Sequence, residues 1–227
     1  MKFPKFTVRD MVNSQHELLT KTLHLNRIKA VIGVSMGGMQ TFQWVVSYPE
    51  FMDKAIPVVG SPRMSSYDLL HWQTEIDIIR NDPGWKDGEY TENPAKLVLG
   101  EIAALLLSTP EGYNRQNTTQ QVFESLERFK AGPAFDANNH IRQAQAVMTL
   151  DVGDVFGGSL ERAAATVKAR VLAIIAIKDH AVTPATASDF AKMTHAVVLE
   201  LTSDCGHGAS GCESSKVNPT VAAFLED

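Results

Sequence analysis

Two kinds of hydrophobic pattern alternate along the chain. Residues 28 to 34 and 54 to 60 are short apolar runs rich in β-branched side chains, which is typical of strands buried in a parallel sheet. Residues 36 to 48 lie between them, are helical in composition and end before Pro49. The order strand, helix, strand predicts a β-α-β unit. An amphipathic helix over residues 8 to 23 is predicted to precede this unit.

The middle of the chain shows helical periodicity and no convincing strand pattern. Its segments are separated by sequences dense in Pro, Gly, Asn and Asp, which favour turns. The predicted helices cover residues 66 to 80, 95 to 108, 117 to 130, 138 to 149 and 158 to 167, with breaks at Asn81–Gly84, Thr109–Gly112 and Ala131–Pro133. We therefore expect a helical lid insertion over residues 65 to 165, between two parts of a core formed by residues 1 to 64 and 166 to 227.

The strand pattern returns after the insertion. Residues 171 to 177 form a continuous apolar run, and residues 197 to 201 form another that only Glu200 interrupts, as expected of buried strands. A crossover helix is predicted over residues 184 to 193, and a final helix near residues 217 to 225. The predicted fold class is therefore α/β, with a mostly parallel sheet.

Length and charge limit the classes of function. With 227 residues, 44% of them hydrophobic, the chain can bury one sizeable core. Its net charge of -5 gives no reason to expect nucleic acid or a membrane as partner, because both attract clusters of Lys and Arg. No apolar run could cross a bilayer, and the N-terminal residues lack a signal-peptide core. We expect a small-molecule partner and, as written, a cytoplasmic location; a lost upstream signal would instead place the protein in the periplasm or outside the cell.

The two cysteines, Cys205 and Cys212, are too few for a disulfide scaffold and lack the paired spacing of a zinc site. They would be bridged only in an oxidising compartment, so the sequence leaves their redox state open. No metal-binding cluster or Gly-rich phosphate loop is evident. We therefore expect no metal and no cofactor.

The sequence Gly33-Val34-Ser35-Met36-Gly37 marks the end of the first predicted strand. A strand that breaks into G-x-S-x-G and then into a helix is typical of the nucleophile elbow, a sharp turn that holds its serine strained and exposed. The two glycines are expected to let neighbouring backbone approach closely. Ser35 is therefore a candidate nucleophile for acyl transfer, and the Met36 N–H is a candidate donor to the oxyanion.

An aspartate and a histidine follow in the order that a serine nucleophile requires. The hydroxyl needs a histidine to take its proton and a carboxylate to orient that histidine. Asp179 stands two residues after the run 171 to 177, and His207 follows the next predicted strand, so both are expected at the carboxyl edge of the sheet. His180 follows Asp179 directly and remains an alternative base. Asp204 lies three residues before His207 and remains an alternative acid.

Several further segments carry a family resemblance. They are Phe3-Pro4, Thr7 to Val12, Ser35 to Gln40, Ser47-Tyr48-Pro49, Ser61-Pro62-Arg63, and Asp82 to Trp85 with Gly88-Glu89-Tyr90. Together they resemble the homoserine O-acetyltransferase-like branch of the α/β-hydrolase superfamily. The resemblance implies an α/β-hydrolase fold in which Ser35 is the nucleophile, Asp179 the acid and His207 the base. It also makes Arg63 and Glu101 candidate substrate-binding residues, and it implies a possible homodimer paired through the lid helices.

The chain departs from that branch where a homoserine acceptor would bind. The resemblance implies an Arg and a Tyr on a lid helix at positions that here hold Glu101 and Ser108, and an Asp after the catalytic histidine where Gly208 stands. A carboxylate facing Glu101 would be repelled, because only Arg supplies the paired donors. We therefore predict hydrolysis of small carboxylic esters, with an acetyl-CoA-dependent homoserine transferase as the alternative.

The early position of Ser35 is a second departure. Members of the branch carry several strands upstream, and one loop there supplies a second oxyanion N–H. We therefore expect a fragment or a truncated gene product that lacks this donor and one neighbour of the first strand. A non-catalytic remnant, acting as a binding or oligomerisation module, is the competing hypothesis. It predicts that Ser35, His207 and Asp179 do not converge.

Overall fold

The computed structural model describes residues 3 to 131 and 135 to 227. Four strands in these ranges form one parallel sheet in the order β1-β2-β3-β4. They are β1 (Ile28–Val34), β2 (Met52–Val58), β3 (Arg170–Ala176) and β4 (Val197–Leu201). The predicted parallel α/β arrangement is therefore confirmed. Strand β2 begins two residues earlier than predicted and ends at Val58, because Val59 has a φ of 43° that turns the chain out of the extended conformation.

Helices connect and flank these strands. Their bounds are α1 (Val8–Glu17), α2 (Met36–Ser47), α3 (Ser66–Asn81), α4 (Lys96–Leu107), α5 (Pro110–Gln116), α6 (Thr119–Ala131), α7 (Ala137–Met148), α8 (Leu160–Ala164), α9 (Ala185–Met193), α10 (Ala209–Cys212) and α11 (Ser214–Glu226). A π-helical turn extends α1 to Thr22, and short 3₁₀ turns occupy residues 86 to 88, 154 to 156 and 206 to 208. No helix in the described ranges has both the length and the hydropathy needed to cross a bilayer.

Helix α5 is the main element that the sequence pattern missed. The pattern predicted a turn at Thr109–Gly112, but Pro110 begins the helix and the Thr109 side chain accepts a hydrogen bond from the Gly112 N–H. Proline suits the first helical position because the N–H that it lacks would have no partner there. The predicted helix 158 to 167 was too long, since α8 spans five residues. The predicted break after Ala131 falls on residues 132 to 134, outside the described ranges.

The main hydrophobic core lies around the central strands and α2. Eight of the residues of α2 are buried, and Phe42 on this helix meets Phe190 on α9 edge to face with ring centroids 5.5 Å apart. The core also includes Leu150, Val152 and Ala163. The last part of the predicted insertion therefore packs with the core that surrounds the sheet.

Strand β1 lies at one edge of the sheet. Within the described residues it pairs with β2 alone. Ile32 and Val34 remain 55% and 56% exposed. An apolar strand edge of this kind is a ready site for further pairing, and it places the carboxyl end of β1, next to Ser35, at the margin of the sheet.

A buried carboxylate joins helices α3 and α7. Glu75 accepts hydrogen bonds from His71 Nε2 at 2.7 Å and from His140 Nε2 at 2.5 Å. Burial alone would raise the pKa of Glu75, but the hydrogen bonds from His140 and His71 outweigh it and lower the pKa from 4.5 to about 2. The carboxylate is therefore charged in the folded protein over a range of pH in which an unfolded chain takes up a proton.

Stability is expected to depend on pH through Glu75. Its contribution is complete above pH 4.5 and is lost as the pH falls towards 2, because the unfolded state then binds the proton more readily. Glu75→Gln should remove about 3 kcal/mol of this pH dependence, measured by urea unfolding across the acid range. The exposed Glu92→Gln is the matched control. An equal slope for the two variants would contradict the prediction.

Candidate active site

Ser35 occupies a strained turn between β1 and α2. Its backbone angles are φ 56° and ψ -117°, a region that residues other than glycine rarely adopt. Two backbone hydrogen bonds hold the turn, from the Ser35 N–H to the Val58 carbonyl at 2.9 Å and from the Met39 N–H to the Ser35 carbonyl at 3.0 Å. The predicted strand-turn-helix geometry is therefore present at this serine.

The glycines around Ser35 have different roles. A Cβ on Gly33 would lie 2.1 Å from the Gly37 carbonyl oxygen, whereas a Cβ on Gly37 would meet nothing within 4 Å. A Cβ on Gly38 would instead lie 2.7 Å from the Val58 carbonyl oxygen. The expectation that Gly33 and Gly37 both serve close backbone approach is wrong for Gly37, and the packing of α2 on β2 requires Gly38 in its place.

Three side chains predicted from the sequence meet at the carboxyl edge of the sheet. The Ser35 hydroxyl donates to His207 Nε2 at 2.7 Å, and His207 Nδ1–H donates to Asp179 Oδ2 at 2.6 Å. Asp179 lies just after β3, and His207 lies in the 3₁₀ turn after β4. With its Nδ1 proton held by the carboxylate, the imidazole presents a lone pair at Nε2 to the hydroxyl. The convergence is that expected of an enzyme, whereas the remnant hypothesis predicted side chains that stay apart.

Backbone N–H groups also orient the Asp179 side chain. It is buried, and its Oδ1 accepts hydrogen bonds from the backbone N–H groups of Ala181 and Val182 at 2.9 Å and 3.0 Å. These bonds hold the carboxylate in one orientation and leave Oδ2 for the imidazole. The sequence predicted the position of Asp179 but not this backbone support, which depends on the fold of the loop that follows.

Asp204, the alternative acid, has another role. Its carboxylate forms a two-pronged ion pair with the guanidinium of Arg115 on α5. Its backbone carbonyl accepts from the Thr109 N–H at 3.3 Å and from the Thr109 hydroxyl at 2.7 Å. Asp204 therefore ties the helix that the sequence pattern missed to the segment that carries His207.

The His207 segment is also closed on itself. Cys205 and Cys212, whose redox state the sequence left open, form a disulfide that encloses His207. Glu213 accepts from the Ser203 N–H at 2.8 Å and from the Lys216 ammonium at 2.6 Å. Lys216 and the Ser203 N–H lower the pKa of Glu213 from 4.5 to about 2. The loop that holds the imidazole is thus fixed by both covalent and charged contacts.

The remaining candidates lie around this centre. The Met36 N–H begins α2, where no intrahelical partner is available and negative charge is favoured, so its role as oxyanion donor stays a prediction. Arg63 donates to the Gly158 carbonyl at 2.5 Å and pairs with Asp151 at 2.9 Å. Glu101 is half-buried on α4. Among the contacts of the described residues, neither Arg63 nor Glu101 is bonded to the triad, and their substrate-binding roles stay predictions.

Sequence reasoning missed two polar contacts. One is the Arg115–Asp204 contact, which joins residues far apart in the chain and leaves no local pattern. The other is the pairing of His71 with Glu75, which the spacing of four residues on one helix could have indicated. In the part of the chain that the structure describes, no group of three or more His, Cys, Asp or Glu side chains is arranged to hold a metal ion.

Comparison with known proteins agrees with this fold and geometry. A family described as the alpha/beta hydrolase fold matches residues 2 to 210. The chain belongs to the α/β-hydrolase family, which confirms the predicted fold. Within it, the relatives and structures below place the chain among homoserine O-acetyltransferase-like members, as the sequence motifs predicted.

Two curated relatives and one solved structure illustrate the similarity. A homoserine O-acetyltransferase of Geotalea uraniireducens is 34% identical over 100% of this chain and 67% of its own length. An ethyl acetate hydrolase of Pseudomonas veronii is 31% identical over 74% of this chain and 51% of its own. The structure of the acetyl esterase MekB superposes with a TM-score of 0.90 at 26% identity, covering 99% of this chain and 70% of that one. This chain spans between about half and two thirds of the length of the first curated relatives.

Proposed function

We propose that this chain hydrolyses small, uncharged carboxylic esters through an acyl-enzyme on Ser35. The observation that carries the proposal is the continuous hydrogen-bonded chain from the Ser35 hydroxyl through His207 to Asp179. An arrangement of this kind makes a serine nucleophilic without a metal or a cofactor.

The geometry supports a two-step reaction. His207 Nε2 takes the hydroxyl proton as Ser35 Oγ attacks the ester carbonyl carbon, and Asp179 stabilises the imidazolium that forms. The negative charge on the carbonyl oxygen develops beside the Met36 N–H at the start of α2. His207 then gives its proton to the departing alkoxide, leaving an acyl group on Ser35. A water molecule, deprotonated by the same nitrogen, releases the carboxylic acid and restores the serine.

Water is the acceptor that the lid residues support, on the family resemblance. Glu101 and Ser108 occupy the lid positions at which the family resemblance implies an Arg and a Tyr for a homoserine carboxylate. Glu101 would repel that carboxylate. The names of similar proteins, an ethyl acetate hydrolase and an acetyl esterase, support an ester substrate for this chain as well.

The acyl-enzyme gives a direct test of the proposal. After rapid mixing with nitrophenyl acetate and acid quenching, mass spectrometry should find one acetyl group, on the peptide that contains Ser35. Nitrophenol release should continue after the first turnover, because water clears the acyl group. Ser35→Ala is the control and should carry no acetyl group; acetylation elsewhere with undiminished turnover would refute the assignment.

Transfer to homoserine is the second candidate, favoured by the 34% identical acetyltransferase. Supplied with acetyl-CoA and homoserine together, the chain is expected to release acetate faster than it forms acetylhomoserine. Chromatography of both products measures the partition directly. Ester formation that outpaces hydrolysis would establish the transferase instead.

A further inference from the structure

A disulfide closes the segment that carries the triad histidine. Cys205 and Cys212 are bonded across a sequence separation of 7, so residues 205 to 212 form a covalent ring with His207 inside it. The ring contains the 3₁₀ turn 206 to 208 and the short helix α10. Because the chain has two cysteines, this is the one disulfide that it can form within itself.

Noncovalent contacts hold the residues on either side of the ring. Before it, the Asp204 carbonyl accepts from the Thr109 hydroxyl at 2.7 Å. After it, the Glu213 carboxylate accepts from the Ser203 N–H at 2.8 Å. In the described part of the chain, the ring itself is hydrogen-bonded to distant segments through the His207 side chain alone. The shape of the ring therefore depends on its disulfide and on its packing.

The two ends of the ring are packed differently. Cys205 is 8% exposed and Ala209 is fully buried, in a core cluster that also contains Val217 and Phe224. Cys212, in contrast, is exposed, and the helix that it ends, α10, has four residues. A helix of one turn is not stable by itself. The disulfide therefore attaches an exposed and weakly held end of the ring to a buried anchor.

The exposed end also makes the bond accessible to a reductant. A disulfide opens when a thiolate attacks one of its sulfur atoms, and access to that sulfur limits the reaction. The exposure of Cys212 offers such access while the core around Cys205 stays folded. Disulfides with an exposed end are more often labile and regulatory than those buried at both ends.

Opening the ring would act on one member of the triad. Ser35 is held by the turn between β1 and α2, and Asp179 is held by the N–H groups of Ala181 and Val182, all outside the ring. His207 lies within it, and its bonds of 2.6 Å and 2.7 Å are the ones that proton transfer uses. A displacement of about 1 Å at such a site costs on the order of a hundredfold in rate.

We propose that the Cys205–Cys212 disulfide is a redox switch for the triad. The closed ring holds His207 against Ser35, and reduction by a dithiol releases the imidazole and lowers turnover. This inference rests on the proposed esterase function and concerns its regulation.

The reduction is an ordinary exchange of thiol and disulfide. A thiolate of the dithiol attacks Cys212 Sγ, breaks the bond to Cys205 and forms a mixed disulfide with Cys212. The second thiol of the reductant then displaces Cys212 and closes the reductant into a disulfide. Two electrons and two protons pass from the dithiol to the cysteines, and a disulfide oxidant reverses the change.

Reduction of the native chain tests the switch directly. Protein treated with dithiothreitol, and freed from it by gel filtration under nitrogen, is assayed on ethyl acetate by the release of acetic acid. We expect kcat to fall about ten- to a hundredfold with KM unchanged, because the imidazole loses its alignment while the substrate site stays intact. Treatment with glutathione disulfide should restore kcat. Alkylation and mass spectrometry of the same samples count the free thiols.

A variant without the bond should reproduce the reduced state. Cys212→Ser removes the exposed end and leaves the buried Cys205 in place, so its kcat should equal that of the reduced parent and should not respond to dithiothreitol. Gly211→Ala is the matched control, because Gly211 lies in the ring and an added Cβ would meet nothing within 4 Å. This control should show the turnover of the parent and the same response to reduction.

Hydrogen exchange distinguishes a switch from general stabilisation. Reduction should speed amide exchange in the peptide that covers residues 205 to 212 and leave exchange at residues 33 to 39, around Ser35, unchanged. Mass spectrometry measures both peptides in the samples used for kinetics. Faster exchange in both, with loss of the circular dichroism signal, would mean that the bond stabilises the whole fold, and the switch would be overturned.

The outcomes separate this inference from the proposed function. If ethyl acetate is hydrolysed and Ser35 is acetylated, but the reduced and oxidised proteins have the same kcat, the switch fails and the esterase stands. A change confined to KM also overturns the switch, because His207 would then still be in place. If the oxidised chain hydrolyses no ester and Ser35 is never acetylated, the proposed function and the switch fail together.

Discussion

Ser35→Ala is expected to lower kcat for nitrophenyl acetate by about four orders of magnitude or more, and His207→Ala by a similar factor. The hydroxyl donates to Nε2 over 2.7 Å, so removing either group removes the same step, the formation of a nucleophilic oxygen. Stopped-flow release of nitrophenol at saturating ester measures kcat for each variant. Asp179→Asn should cost about three to four orders of magnitude, because the imidazole then loses its orientation and the partner of its charged form.

The double variant gives the sharper result. Because the two residues act in one step, Ser35→Ala with His207→Ala should be no slower than either single variant. Losses that multiply would show that the residues act independently and would contradict the triad. His195→Asn is the matched control, because His195 is an exposed histidine away from the hydrogen-bonded chain and asparagine tolerates its positive φ.

Gly33→Ala is expected to destabilise the fold by about 3 kcal/mol, at the upper end for an overpacked position. The added Cβ would lie 2.1 Å from the Gly37 carbonyl oxygen. The Cβ is bonded directly to the backbone and the carbonyl oxygen is part of it, so relieving the clash must move the turn that carries Ser35. Urea unfolding measures the free energy, and activity should fall in the fraction that remains folded because the hydroxyl leaves its hydrogen bond with His207.

Gly37→Ala is the matched comparison within the same turn. Its Cβ would meet open space, and alanine favours a helix over glycine by about 1 kcal/mol. This variant should be as stable as the parent or slightly more stable, with the hydroxyl in place. Equal destabilisation by the two substitutions would contradict the close approach of Gly33 to the Gly37 carbonyl.

Features that depend on local sequence could be predicted, whereas contacts between distant segments could not. The four strands and the order Ser35, Asp179, His207 were predictable, because apolar runs are local and the carboxyl edge of a parallel sheet collects the residues that follow them. Helix α5 was missed because Pro and Gly, here Pro110 and Gly112, are common in turns and Pro is also common at the start of a helix. The Gly112 N–H donates to the Thr109 side chain, and this capping bond marks the start of a helix at this segment.

Contacts between distant segments were beyond the sequence pattern. Asp204 was considered as an acid because it lies close to His207, yet its partner Arg115 is 89 residues away. The role of Gly37 was misjudged for a related reason, because only the packing of α2 on β2 shows that Gly38 and not Gly37 faces another backbone. A motif specifies the residues of such a turn but not the surface against which the turn packs.

At position 35, the residue that favours a stable fold differs from the residue that acyl transfer requires. A residue with a side chain at φ 56° and ψ -117° carries about 1–3 kcal/mol of backbone strain that glycine would not. The best residue for folding at this position is therefore glycine, and the best residue for acyl transfer is serine. Engineering for thermal tolerance that ignored turnover would drift towards the inert glycine form, so any such effort should hold position 35 fixed and look for its gains elsewhere.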